Sequence, residues 1–265
     1  MEADSAALQL TLVSEADMND SGTSRAEHEI SHGKWLAAQD TETVWGWGTP
    51  AGRLRANRRA RLIIAGAGLA PDKRALEIGC GTGMFTEAFA ASGATTLAVD
   101  ISGELLDKAR LRRLPAGRVT FIEGRFEDCD VVGPFDAVIG SSILHHLEVD
   151  EAIRHIRRLL KPGGRLSFAE PNMLNPQVYL ERRFSYLPMF SYTSPDETAF
   201  MRWDLARRLR KAGFDAISII PFDWLHPSTP QPMIGVVQSA GRVVEHVPLL
   251  REFAGSLHIQ ARVPS

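Results

Sequence analysis

The sequence predicts an α/β fold: a doubly wound, mostly parallel sheet with an antiparallel closing strand, N-terminal helices and inserted cap segments. Short apolar runs alternate with amphipathic stretches between Ala75 and Glu170, which is typical of a parallel sheet covered by helices on both faces. A glycine-rich turn, Gly79 to Gly83, follows the first run and opens a helix. Because such sheets bind ligands beyond the carboxyl ends of their strands, we expect the functional site in the loops after the runs.

The individual elements follow from local patterns. A helix over 149–160 has its apolar residues on one face and ends at a Lys-Pro-Gly-Gly turn. An arginine-rich helix is predicted between Pro50 and Gly66, with proline at its start and glycine at its end. Asp204 is predicted to cap a helix that ends near residue 213. The predicted strands, of which the last closes the sheet, are 75–78, 95–99, 119–123, 135–141, 165–170, 216–220 and 257–263.

The chain of 265 residues is predicted to form one domain after a tail. Residues 1–28 are rich in polar, acidic and small residues and are predicted to be disordered. Residues 29–265 form the single domain, with cap insertions near 171–203 and 222–254 that are marked by prolines and aromatics. The second insertion contains an amphipathic helix near 233–247, whose apolar face is predicted either to pack on the domain or to line an apolar acceptor pocket.

Composition excludes several classes of function. With 30 basic and 32 acidic residues, the net charge of −2 argues against nucleic acid as a partner. Two cysteines cannot form a disulfide framework or a four-cysteine zinc site, and His28 and His32 have no third ligand nearby, so no metal is predicted. No export signal or membrane span is recognisable, which predicts a cytoplasmic protein. Membrane contact is expected to be weak at most, and the oligomeric state stays open.

The glycine loop and the carboxylate after the second strand indicate a nucleoside-bearing ligand. Glycines let the backbone turn sharply and approach a ligand closely. Their Gly-x-Gly-x-Gly spacing differs from the Gly-x-Gly-x-x-Gly of dinucleotide binders, which disfavours a nicotinamide dehydrogenase. Asp100 ends the second predicted strand, 21 residues after Gly79, where a carboxylate can accept both hydroxyls of a ribose. Its alternative role is to cap the next helix.

Taken together, these motifs resemble class I S-adenosylmethionine-dependent methyltransferases over about residues 50–221, in particular the quinone-pathway and natural-product branch. The resemblance implies a Rossmann-like fold, S-adenosylmethionine as cofactor, and methyl transfer to oxygen or nitrogen of a small-molecule or lipid-linked acceptor. It is carried by Glu77-x-Gly79-x-Gly81-x-Gly83, by Ala98 to Ser102, by Phe135 to Val138 leading to Leu144-His145-His146-Leu147, and by Leu160-Lys161-Pro162-Gly163-Gly164.

The resemblance also implies which residues bind the cofactor. The methionyl part would lie against the loop that contains Glu77, Gly79, Cys80, Gly81 and Gly83. Asp100 would hold the ribose, Ile101 would pack on the adenine, and the backbone near Ser141 would receive the methionyl ammonium. The adenine would lie against Arg125, Phe126 and Glu127. Relatives often have Asp where Arg125 stands, so Glu127 or Asp128 is the alternative acceptor for the adenine amino group.

The aromatic and arginine-rich segment before the first strand has two interpretations. Its arginines form a solvated helix face, or Arg59 pairs with the cofactor carboxylate while others attract an anionic acceptor. Trp45 and Trp47 form a lid over the cofactor or belong to the core.

Candidate catalytic groups follow the fourth and fifth strands. Methyl transfer from a sulfonium is an in-line displacement in which positioning supplies much of the catalysis. A hydroxyl acceptor also benefits from a base. His145 and His146 are the candidate bases and Glu170 is the candidate carboxylate partner, with the alternative that one histidine packs beneath the loop.

Two other functions stay open: a different reaction on the same fold, such as a cyclisation, and a non-catalytic cofactor-binding scaffold.

Overall fold

The computed structural model describes residues 25–184 and 198–265. All seven predicted strands are present. The strands are β1 (Arg74–Ile78), β2 (Thr95–Asp100), β3 (Val119–Glu123), β4 (Phe135–Ser141), β5 (Leu160–Pro171), β6 (Asp215–Phe222) and β7 (Ser256–Arg262). The α-helices in the described ranges are α1 (Arg25–Ala37), α2 (Thr41–Val44), α3 (Pro50–Ala67), α4 (Met84–Ala90), α5 (Gly103–Arg110), α6 (Val149–Leu159), α7 (Pro176–Arg183), α8 (Arg202–Lys211), α9 (Ile234–Val244) and α10 (Pro248–Arg251).

The strands form one sheet in the order β3-β2-β1-β4-β5-β7-β6. Neighbouring strands from β3 to β5 are parallel, whereas β7 runs antiparallel to both β5 and β6. The predicted parallel sheet with an antiparallel closing strand is therefore confirmed. The strand order reverses direction between β1 and β4, which is the point where open α/β sheets form a crevice for ligands.

Apolar side chains cover both faces of the sheet. On one face, α6 and α8 bury Ile153, Ile156 and Leu205 against the central strands. On the other face, α3 and α4 bury Ile63 and Phe89. Burial on both faces explains why the strand sequences are near-continuous apolar runs.

Helix α3 begins at Pro50 as its sequence predicts, but it ends at Ala67, beyond the predicted end at Gly66. Of its arginines, only Arg53 and Arg61 are exposed. The Thr49 hydroxyl accepts from the Gly52 amide at 2.9 Å, and Gly68 ends the helix in the left-handed conformation. Arg55 contacts Asp223 at 2.7 Å and Arg58 contacts Glu245 at 2.5 Å. These ion pairs tie α3 to the second insertion.

Two predicted boundaries are wrong. Helix α1 already includes Arg25, so the predicted tail cannot extend to His28; residues 1–24 lie outside the described residues. Met201, not Asp204, is the N-cap of α8. Asp204 lies in the first turn, where its carboxylate favours the helix dipole and accepts from Arg208 Nε at 2.7 Å.

The second insertion packs on the domain through a narrower face than its sequence pattern predicts. Ile234 and Gly241 are buried, and Ile234 packs with Ala51 of α3. Met233 and Val236, two further apolar residues of this segment, are exposed. The first insertion contains α7, while its aromatics Phe190 and Tyr192 fall outside the described residues.

Candidate active site

A cavity of about 330 Å³ opens where the strands of the parallel half end. Its walls come from the segments that follow β1, β2, β3, β4 and β5, together with α1 and the aromatic segment before α3. The predicted site residues that line it are Gly79, Cys80, Gly81, Asp100, Ile101, Arg125, Phe126, Glu127, Ser141, His145, His146 and Trp47. Glu77, Gly83, Arg59 and Glu170 lie behind these walls.

The glycine loop requires glycine at the points of closest approach. Gly79 and Gly81 have φ values of +65° and +52°, a region that L side chains rarely adopt. A Cβ at Gly79 would overlap the Ile143 side chain, and one at Gly81 would lie 2.9 Å from the Trp45 ring. The loop therefore brings bare backbone to the cavity wall.

Burial raises the pKa of two titratable groups at this loop. Burial raises the pKa of Glu77 to about 8, and the nearby Asp100 charge adds to this shift. Burial also raises the pKa of the Cys80 thiol, so Cys80 carries no thiolate for nucleophilic chemistry. Glu77 lies beneath the loop and Cys80 contributes a small buried surface.

Asp100 lines the cavity at the end of β2. Its Oδ2 accepts from the Gly81 amide at 2.6 Å and its Oδ1 accepts from the Ser102 amide at 2.9 Å. Burial raises the pKa of Asp100, and these amide bonds counteract part of that effect. Ser102, rather than Asp100, is the N-cap of α5. A carboxylate oxygen can accept more than one hydrogen bond, so Asp100 can still accept from a ligand.

The segment after β3 presents an aromatic ring and a buried carboxylate to the cavity. Phe126 is buried and stacks on His155 with ring centroids 4.8 Å apart. Glu127 Oε2 is buried and accepts no hydrogen bond within the described residues. Arg125 Nε lies 3.4 Å from it, and the Arg125 side chain is 42% exposed. A buried acceptor of this kind fits an N–H donor such as an exocyclic amine.

His145 and Glu170 form a buried pair at the end of β4 and β5. His145 Nδ1 lies 2.6 Å from Glu170 Oε2, and Glu170 Oε1 accepts from the amides of Ile143 and Leu144 at 3.0 Å each. Burial alone would raise the pKa of Glu170, but the contacts with His145 and the two amides outweigh it and lower the pKa. The carboxylate is thus held ionised beside the imidazole.

His146 projects from the same turn toward helix α1. Its Nδ1 lies 3.0 Å from Glu29 Oε1, and its ring centroid lies 4.2 Å from that of His145. Arg25 of α1 donates to the carbonyl of His145 at 2.9 Å and pairs with Glu148 at 3.2 Å. Helix α1 therefore closes one side of the cavity against the turn that carries both histidines.

Arg59 is buried behind the wall of the cavity. It donates to the hydroxyls of Ser142 at 2.7 Å and Ser256 at 2.6 Å, and to the carbonyl of Ala169 at 3.2 Å. Burial lowers the pKa of Arg59 to about 10. Trp47, which does line the cavity, packs over this guanidinium at 5.2 Å. The structure thus links Arg59 to the loop after β4 from inside the protein.

Sequence reasoning missed the contribution of α1. Arg25, Glu29, Gly33 and Leu36 line the cavity at helical spacing, and a Cβ at Gly33 would lie 2.8 Å from Ser102. The i, i+4, i+8 recurrence was a signal, but its residues are polar or small and resemble a disordered tail.

His32 stacks on Trp35 at 5.5 Å, and no group of three potential metal ligands occurs among residues 25–184 and 198–265.

Residues of the second insertion do not contribute to the cavity within the described ranges. Of the two predicted roles of its apolar face, packing on the domain is the one observed, since its buried residue Ile234 packs against Ala51 of α3 and Leu225. None of the described helices is long and apolar enough to cross a bilayer.

Comparisons with known proteins agree with this fold. Residues 76–166 match the model of a family described as a methyltransferase domain. The chain is 39% identical over 117 residues to a ubiquinone biosynthesis O-methyltransferase of Xanthomonas oryzae pv. oryzae (strain PXO99A), covering 43% of this chain and 46% of that protein. It therefore spans about half the length of the curated relatives it matches.

Two solved structures share the fold. The N-methyltransferase NodS of Bradyrhizobium japonicum WM9, in complex with S-adenosyl-L-homocysteine, superposes with a TM-score of 0.61 at 17% identity, covering 90% of this chain and 100% of NodS. The 4+2 cyclase SpnF superposes with a TM-score of 0.55 at 21% identity, covering 78% and 80%. Identities this low show a common fold, and that fold supports more than one reaction.

Proposed function

The chain carries a class I S-adenosylmethionine-dependent methyltransferase domain, and we propose that it transfers a methyl group from S-adenosylmethionine to the oxygen of a small acceptor that bears a phenol. The observation that carries this proposal is the His145–Glu170 pair beside His146, since it places imidazole bases on the wall of the cavity that Asp100 also lines. The O-methyltransferase relatives support transfer to oxygen.

The cavity residues fit the cofactor. Asp100 would accept from the ribose hydroxyls, and the buried Glu127 Oε2 would accept from the adenine amino group. Phe126 offers an aromatic surface to the base. The bare backbone of the glycine loop would lie against the methionyl part, as in the family.

In the methyl transfer, the cofactor and the protein would supply different parts of the chemistry. When bound, S-adenosylmethionine supplies an electrophilic methyl group on a positively charged sulfonium. The protein must orient the acceptor oxygen in line with that methyl group and remove its proton. Imidazoles ionise near neutral pH, and phenols, with pKa values of about 10, are far closer to them than aliphatic alcohols are. A histidine base therefore favours a phenol as the acceptor.

The cavity wall supports the same substrate class. Trp45, Trp47 and Phe85 contribute aromatic surface, and Ile143 and Leu36 contribute aliphatic surface. A planar aromatic acceptor gains apolar burial there, while its hydroxyl reaches the polar edge formed by the histidines.

The test is release of S-adenosylhomocysteine with matched acceptors: catechol, catechol with an alkyl chain, and aniline. We expect turnover with the two phenols and little with aniline. The double variant His145→Gln/His146→Gln should lower turnover by about 10²–10⁴ while cofactor binding persists. Conversion of aniline alone would make the protein an N-methyltransferase. Tight cofactor binding with no methylated product from any acceptor would support a different reaction or a scaffold.

A further inference from the structure

Two histidine–carboxylate pairs lie side by side at the active-site turn, and they differ in environment. The imidazole rings of His145 and His146 are 4.2 Å apart. The side chains of His145 and Glu170 are 4% and 0% exposed, whereas those of His146 and Glu29 are 17% and 16% exposed. One pair is therefore sealed in the protein, and the other lies at the cavity surface.

The sealed pair has the contacts of an anchor for the turn. Both oxygens of Glu170 are engaged, one by His145 and the other by the amides of Ile143 and Leu144. Glu170 does not line the cavity. Its buried charge fixes the position of the turn from within, and an acceptor in the cavity would reach it only through His145.

The second pair meets across the cavity. Glu29 and His146 both line the cavity, and they come from elements far apart in sequence: Glu29 from α1 and His146 from the turn after β4. Arg25, one helical turn before Glu29, holds α1 to that turn through the carbonyl of His145 and the carboxylate of Glu148. The Glu29–His146 contact therefore depends on the docked position of α1.

We propose that His146 is the proton acceptor for the methyl transfer and that Glu29 is the residue that positions it. This assignment rests on the proposed O-methylation. A carboxylate at Nδ1 favours the tautomer in which Nδ1 carries the proton and Nε2 keeps the lone pair. The acceptor's O–H proton passes to Nε2 as its oxygen forms a bond to the methyl carbon; the C–S bond breaks and its electron pair stays on sulfur. Imidazolium and neutral thioether balance the charge.

In this proposal the catalytic base depends on groups from two structural elements. His146 supplies the nitrogen and α1 supplies the carboxylate, so the base is complete only while α1 is docked. Acceptor turnover is thereby coupled to closure of the cavity by α1. The charged and titratable groups that line the cavity together with His146 are Arg25, Glu29, His32, Cys80, Asp100, Arg125, Glu127, His145, Glu148 and Arg182. Glu170 lies behind His145.

The experiment compares Glu29→Ala and Glu29→Gln with Glu27→Gln, a control on an exposed side chain of the same helix. With saturating S-adenosylmethionine and catechol, we expect kcat to fall about 10-fold to 100-fold in Glu29→Ala, by analogy with the loss of a carboxylate that orients a metal-bound histidine. We expect a smaller loss in Glu29→Gln, which keeps an acceptor oxygen. The dissociation constant for S-adenosylmethionine and the activity of Glu27→Gln should match those of the wild type.

A readout independent of turnover is the tautomer of His146 in the cofactor-free protein, measured by ¹⁵N NMR. We expect the Nδ1-protonated form in the wild type and its loss in Glu29→Ala. Wild-type kcat in Glu29→Ala, or an unchanged tautomer, would overturn the assignment. Should the wild type convert no acceptor at all, the O-methylation proposal fails, while the NMR comparison still decides whether Glu29 positions His146.

Discussion

Asp100 and Gly81 are joined by a hydrogen bond of 2.6 Å from the glycine amide to the carboxylate, which ties the glycine loop to the end of β2. The same carboxylate that we expect to bind the ribose therefore also shapes the loop that receives the rest of the cofactor. One side chain thus organises two parts of the binding surface.

Replacing Asp100 with alanine should weaken S-adenosylmethionine binding by on the order of 2–4 kcal/mol, because charged hydrogen bonds contribute about 1.5–3 kcal/mol each and are not additive. Calorimetric titration measures this change. Asp107→Asn is the matched control, since Asp107 is an exposed carboxylate on the following helix α5. An affinity equal to that of the wild type would remove Asp100 from the cofactor site.

Glu77→Gln should stabilise the protein, and more so at higher pH. Burial raises the pKa of Glu77 in the folded state to about 8, against about 4.3 for an unfolded glutamate. A group with a raised folded pKa contributes stability that is fully present below the unfolded pKa and is lost as pH rises through the folded pKa. The wild type therefore loses stability between about pH 4 and pH 8, and Gln, which does not titrate, does not.

Urea unfolding of both proteins at pH 5 and pH 8 tests this. We expect the stability difference in favour of Glu77→Gln to grow over that interval by roughly 1–3 kcal/mol, allowing for relaxation around the buried group. A difference independent of pH would show that Glu77 ionises normally beneath the loop.

Gly79→Ala should destabilise the protein more than Gly117→Ala does. Both glycines have similar backbone angles, with φ of +65° and +71°, so both variants incur the strain of about 1–2 kcal/mol for a left-handed L residue. Only at Gly79 would the new Cβ also overlap a neighbour, the Ile143 side chain, because nothing lies within 4 Å at Gly117.

The two alanine variants are compared by thermal unfolding and by S-adenosylmethionine binding. We expect Gly79→Ala to lose cofactor affinity and Gly117→Ala to retain it. Equal losses of stability would mean that the loop moves away from Ile143 without cost.

The sheet and the cofactor loop could be predicted from sequence because their signals are local. Buried parallel strands are continuous apolar runs, and a glycine in the left-handed region leaves a recognisable motif. The role of Arg59 could not be predicted, since its oxygen acceptors, including Ser142 and Ser256, come from segments 83 and 197 residues further along the chain. The many arginines of α3 do not indicate which guanidinium is buried.

The orientations of the two active-site histidines could not be predicted from the sequence either. The sequence places His145 and His146 after β4 and Glu170 at the end of β5. Adjacent residues on a 3₁₀ turn, however, point in different directions. Which ring faces Glu170 and which faces Glu29 depends on the turn geometry and on the docking of α1. Both are tertiary features.

The position of β7 between β5 and β6 has a consequence for the order of synthesis. In this sheet β6 pairs with β7 alone, and β7 provides its connection to β5. A growing chain that has made β1 to β6 therefore leaves one edge of β5 and the whole of β6 without a strand partner. Until the ribosome has released residues 256–262, those edges are open to wrong pairing, which makes this interval the vulnerable stage of biogenesis.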